Sequence, residues 1–324
     1  MSARRLILAA LLTLYGADTA FAQKAAPKNG PAPDQQEERA PDPSADLAYG
    51  AYQRGHYLTA FAEATKRVEA NGDPVAMTLL AILYGGGLGV AKDDARAAEW
   101  YKLAAERGDR EAMFGLAMFH LTGRAVERSR EQAAKLFASA AKLGHPAAAY
   151  NLGLLYLEGM QFPQDFGRAA ELFRMAAQAG NPDSQYALAT LYKEGRGVPK
   201  DDAEAARLLG AAALADHLDA QVEYAIALHN GTGVKKDEAA ATLLLRKAAR
   251  RGAPIAQNRL ARILATGRGA PLDAKEAVKW HIVSKAAGAS DPWLDDFAGR
   301  QSPEIREAAE KEAQPWLELI AASR

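Results

Sequence analysis

Residues 191–213 read LYKEGRGVPKDDAEAARLLGAAA. A Gly-x-Gly turn precedes a helix that opens on two carboxylates, and the stretch has two readings. Glycine-rich turns before a helix can cradle a phosphate, because backbone N–H groups and the helix N-terminus both favour an anion. A phosphate loop, however, needs Lys and then Ser/Thr after its last glycine, and a dinucleotide fold needs a strand before the first. Here Gly195 and Gly197 lead into Val198, Pro199, Lys200, Asp201 and Asp202, and the preceding residues have helical rather than alternating spacing. Two side-chain carboxylates would compete with a phosphate for the same N–H groups. The other reading is punctuation between two helices.

Recurrence decides between them. Related stretches begin at Leu83, Phe119, Leu155, Ala227 and Ile263, one every 36 residues without insertion or deletion. The chain therefore carries six blocks: 73–108, 109–144, 145–180, 181–216, 217–252 and 253–288. A fixed period of this length signals stacked helical repeats, whereas a catalytic loop is normally present once.

Each block spells a helix pair. Pro at position 2 of four blocks (Pro74, Pro146, Pro182, Pro254) suits the first turn of a helix A. Of the residues before those prolines, Asp73 and Asn181 are ordinary N-caps, whereas His145 and Ala253 are not. Position 8 is Leu or Tyr, position 9 is Ala or Gly, and position 12 is Tyr, His or Leu. This is a stripe that lets a neighbouring helix approach closely. Position 15 is glycine six times (Gly87, Gly123, Gly159, Gly195, Gly231, Gly267), as a left-handed helix end requires. Position 18 is usually Val, an apolar plug for the loop. Position 21 is Asp93, Ser129, Asp165, Asp201, Asp237 or Asp273, the N-cap of a helix B. Gln132, Glu204 and Glu276 stand three residues later, where a capping box would use them.

The ends differ. Residues 1–22 have the layout of a signal peptide: Arg4 and Arg5, a short apolar run, and an Ala20–Phe21–Ala22 site with cleavage expected before Gln23. Residues 23–44 are Pro-rich and charged, the composition of a disordered linker. Residues 45–72 read as an N-terminal capping hairpin turning at Gly55–His56. Residues 289–324 read as C-terminal capping helices, with fresh starts at Ser302–Pro303 and Gln314–Pro315.

The chain has 324 residues, with 40 basic and 40 acidic side chains, and no cysteine. Neutrality gives no electrostatic case for nucleic acid or an anionic membrane. The missing cysteine excludes disulfides, thiolate metal sites and cysteine nucleophiles. The six histidines form no metal-ligand spacing, and His120 and His281 fall in core slots of the repeat. No Gly-x-Ser-x-Gly occurs. The densest basic run, LLLRKAARRG at residues 243–252, reads as a solvated helix face, with a partner patch as the rarer alternative.

The pattern Leu–Gly/Ala–x–x–Tyr–x–x–Gly, then Gly–Val–x–x–Asp, then paired Ala with an aromatic or Leu, resembles the Sel-one-like repeat (SLR) family, a sub-class of tetratricopeptide-like repeats. The match covers 73–288 strongly and 45–72 weakly. It departs at Ala125 and Ser129, and at Gln161–Phe162. The resemblance implies an all-α fold, a right-handed α-solenoid of stacked antiparallel helix hairpins. It also implies a role as a protein-interaction adaptor. Exported bacterial members of the family are associated with envelope signalling, virulence and control of membrane sensors. A cysteine-rich branch linked to β-lactam hydrolysis is set aside by the missing cysteine.

These readings give an exported, non-enzymatic scaffold, periplasmic or secreted, monomeric and without cofactor. It has no nucleic-acid partner and no integral membrane segment after signal cleavage. By analogy with tetratricopeptide arrays, a protein or peptide would lie in a concave groove lined by helix A. The candidate contacts are Phe114, Met118, Tyr150, Asn151, Tyr186, Lys193, Glu194, Glu223, Asn230, Asn258 and Arg262. The competing use of Phe114, Tyr150 and Tyr186 is packing between repeats. A rival function, a cell-wall or glycan-processing enzyme on the same scaffold, would need a pocket with two carboxylates that are not helix caps.

Overall fold

A computed structural model of the chain describes residues 46–160 and 162–322. The signal peptide and the linker expected at 1–44 lie outside the described residues. Among those that are described there are sixteen helices and no strand. They form a helical-repeat solenoid, divided into two compact units at Ala176–Ala177.

In the first unit α1 (Leu47–Gln53) and α2 (Tyr57–Asn71) make the expected hairpin. Three helix pairs follow: α3 (Pro74–Gly86) with α4 (Asp94–Glu106), α5 (Arg110–Thr122) with α6 (Arg130–Lys142), and α7 (Pro146–Glu158) with α8 (Phe166–Gln178). The second unit contains α9 (Pro182–Glu194) with α10 (Asp202–Leu214), α11 (Leu218–Asn230) with α12 (Glu238–Arg250), and α13 (Pro254–Thr266) with α14 (Ala274–Ala286). It ends in α15 (Pro292–Gly299) and α16 (Pro303–Ala322). Each repeat helix is 13 residues long. Such helices are marginal alone, so their stability comes from packing against their neighbours in the chain.

The packing follows the small residues. The position-9 residues Ala81, Ala117, Ala189, Ala225 and Ala261 have no exposed surface, and the same holds for the helix B alanines Ala97, Ala104, Ala133 and Ala140. Large side chains fill the space the alanines leave. Phe137 and Phe173 are fully buried, each contributing about 1.5–3 kcal/mol from transfer alone. Gly153 at position 9 is obligatory for such a neighbour, since a Cβ there would stand 2.6 Å from the Phe173 ring.

The loop in the opening quotation is punctuation. All six position-15 glycines sit in the left-handed region and end helix A. All six position-21 side chains accept the N–H three residues on and start helix B, at 2.8–3.2 Å. The N–H of Asp201 donates to Tyr192 O and that of Asp273 to Leu264 O, as in every repeat, which pins the loop onto helix A. Glu204 pairs with Arg207, and Glu276 with Arg246 and Trp280.

Two other expectations are corrected. His145 does act as an N-cap, and so does His217, each through Nδ1. No helix begins at Gln314–Pro315. Instead, α16 runs through Pro315. Loss of one backbone bond is tolerated there because the opposite face, with Ala309, Ala313 and Trp316, is anchored on the last repeat, where Trp316 meets Trp280 at 5.2 Å.

Candidate functional site

Helix A residues away from the 8/9/12 stripe face outward from their own hairpin, and the next repeat decides which stay free. Position 6 shows how. Thr78 donates to Asp109, Phe114 stacks on His145 at 4.5 Å, Tyr186 stacks on His217 at 4.7 Å, and Asn258 donates to Asp291 at 3.0 Å. In these four pairs the position-6 side chain holds the residue that caps the next element's first helix.

Local packing engages several of the candidates. In the first unit Phe114 lies between His145 and Phe137, Tyr150 leans on Phe173 at 5.7 Å, and Met118 packs on the same apolar cluster. Asn151 donates to Ala147 O within its own helix. Tyr186, in the second unit, is only 7% exposed. Burial raises its phenol pKa, and the Asp219 and Glu223 charges raise it further. Tyr186 is thus buried, whereas Phe114, Met118, Tyr150 and Asn151 are engaged by these contacts but remain half-buried.

The remaining candidates all lie in the second unit. Lys193 and Glu223 form an ion pair at 2.5 Å that ties α9 to α11. Glu194 is exposed beside Arg196, and Asn230 is exposed at the end of α11. Arg262 grips Asp291 with two bonds of 2.6 and 2.7 Å and lies 5.2 Å from the Trp293 ring centre. Asp291 caps α15. The Arg262 guanidinium, with help from Asn258 and the Leu294 N–H, holds its carboxyl far below the usual carboxylate range. The sequence reading left out Ile255, Arg259 and Trp293, all exposed. Arg259 was legible, since it stands at position 7 of its block just as Glu223 does. Trp293 was not, because it lies beyond the last period.

Among the described residues no group of three or more His, Asp or Glu side chains could hold a metal ion. His281 pairs with Asp295 at 2.8 Å, but the nearby Ser284 hydroxyl is fully buried and donates to the His281 carbonyl rather than to its ring. Three cations of the basic run tie repeats together: Arg246 to Glu276, Lys247 to Asp216, and Arg251 to Asp216 O and Gln221. Among the described residues no helix is long and apolar enough to cross a membrane.

Comparison with known proteins agrees with this geometry. The Sel1 repeat model matches residues 74–109, 110–145, 146–181, 182–217, 218–252 and 254–288. The chain belongs to the Sel1 repeat family. Sel1-repeat proteins are generally non-catalytic scaffolds, typically for protein interaction. Among solved structures, a Sel1 repeat protein from Oxalobacter formigenes aligns at 27% identity and TM-score 0.63, over 74% of this chain and 97% of its own. The SLR-fold protein c5321, a protective antigen of uropathogenic Escherichia coli, aligns at 27% identity and TM-score 0.58, over 86% of this chain and 68% of its own. No curated protein matches this Sel1-repeat chain in sequence.

Proposed function

We propose that this Sel1-repeat protein is an exported, non-enzymatic scaffold that holds a protein or peptide along its helix A row. Its partner would be an envelope component such as a sensor or an assembly factor. One observation carries the reading. Positions 8 and 9 keep their chemistry in every repeat, whereas the exposed helix A residues of the second unit change from one repeat to the next: Lys193 and Glu194, then Asn230, then Ile255, Arg259 and Arg262. A constant frame with changing outward chemistry is what recognition of an irregular partner needs. In the second unit the exposed Lys193, Glu194, Asn230 and Arg262 offer an amide and both charges, a mixed surface that suits a polar peptide or helix.

The test is site-specific photo-crosslinking in envelope extract. A crosslinker at Asn230 should capture one protein that a crosslinker at exposed Lys102 on α4 does not. Equal capture at both positions, or none at Asn230, rejects the row as the binding surface. Export is tested separately by N-terminal sequencing, which should begin at Gln23.

A further inference from the structure

Two helices A begin on an imidazole. The Ala148 N–H donates to His145 Nδ1, and the Ala220 N–H donates to His217 Nδ1, both at 3.1 Å. A ring nitrogen that accepts carries no proton, so the hydrogen of each neutral ring sits on Nε2. That nitrogen faces the preceding helix A: His145 Nε2 meets Glu111 at 3.0 Å, and His217 Nε2 meets Asp183 at 3.4 Å. The same preceding helices cover one ring face, with Phe114 at 4.5 Å and 20° and Tyr186 at 4.7 Å and 25°. His145 is 5% exposed. The charged groups around His145 are Glu111 and Arg110, which pairs with Glu111 and donates to Leu143 O. Around His217 stand Asp183, Asp219 on its own helix, Glu223 beyond Tyr186, and Asp216, which Lys247 holds through its carboxylate and Arg251 through its carbonyl.

A second proton has only Nδ1 to occupy. It would then point at the amide it now accepts from, donor against donor, and would place a cation at the positive end of a helix. The carboxylate and the aromatic face hold that cation where it is. The ring therefore stays with the preceding repeat, and the start of the next helix lets go.

We propose that His145 and His217 are proton-operated latches. Acidification uncaps α7 and α11, loosening the start of each helix and leaving α9, which Asn181 caps, unchanged. The inference is independent of the proposed function.

Amide NMR between pH 8 and 5 tests it. The Ala148 and Ala220 amides should titrate and lose about tenfold in protection against opening, relative to the Ser184 amide that Asn181 caps. His145→Asn and His217→Asn keep an acceptor without a titrating ring and should abolish the change. Glu111→Gln removes the carboxylate that holds the protonated ring and should shift the loss at Ala148 to lower pH. If a variant fails to fold, the wild-type comparison with Ser184 still decides. Amides that do not titrate, or that gain protection in acid, overturn the proposal.

Discussion

Two neighbouring junctions in the second unit close the same gap differently. At the first, His217 caps α11 and stacks under Tyr186. At the second, Ala253 stands in the cap position without a side-chain bond, and Val222 replaces the tyrosine. The frame is nevertheless the same. The N–H of His217 donates to Ala212 O, and that of Ala253 to Ala248 O. Gln221 donates to Ala213 O and Gln257 to Ala249 O, both at 3.1 Å. In each case the incoming loop lays a glycine on the first turn of the preceding helix B: Gly233 on Asp202 and Gly269 on Glu238. Bonds to the backbone fix the repeat, so cap chemistry is free to vary from one junction to the next. The shared frame should therefore cost far more to break than the variable cap.

Gly233→Ala is the severest break. Its Cβ would stand 1.8 Å from the Asp202 carbonyl oxygen, so the loop must lift off its neighbour. We expect a loss of about 3 kcal/mol or more in urea unfolding. Gly252→Ala is the control. It shares the left-handed backbone, at φ 84° against 67°, but its Cβ meets nothing within 4 Å. It should lose only about 1 kcal/mol, the backbone cost. Similar losses for the two variants would show that the loop is not clamped.

The frame was legible in the sequence because its signals are local. The left-handed glycine at position 15 and the cap at position 21 each act within one hairpin. What escaped was settled by the next repeat or beyond the last one. The capping-box reading missed that the Asp201 N–H donates to Tyr192 O, nine residues earlier in the chain, and that Glu204 pairs with Arg207. Tyr186 and Phe114 were candidate contacts, but a histidine 31 residues on covers each. His145 and His217 were missed as caps because a ring nitrogen is an uncommon N-cap acceptor. Arg262 and Asn258 fell among the candidates as free groups, yet both are committed to Asp291, which lies outside the repeated pattern.

The variable part can be improved where it is missing. Ala253→Ser would give α13 the acceptor that five of the six repeats already have. The gain should be about 1 kcal/mol by chemical denaturation. No gain would mean that the contact with Val222 already sets the helix start and that a cap is redundant at an apolar junction.

The smallest effect tests whether the shared loop tolerates a departure from its own rule. At position 17, where Gly233 stands in its repeat, the first unit has Ala125, held at φ 54°. A Cβ in the left-handed region costs about 1–2 kcal/mol. Glycine there would release that strain but give back about 0.5–1 kcal/mol through its freer unfolded chain. Ala125→Gly should therefore stabilise the protein by about 0.5 kcal/mol, a rise of about 1 °C in calorimetric Tm. This loop differs from the clamped one in a further way: its Arg124 reaches back to Asp94 and to Gly85 O, both at 2.5 Å. If the glycine variant instead lowers Tm, the arginine anchor depends on the alanine's fixed backbone. The loop would then be held by a side chain where its counterpart is held by close backbone contact.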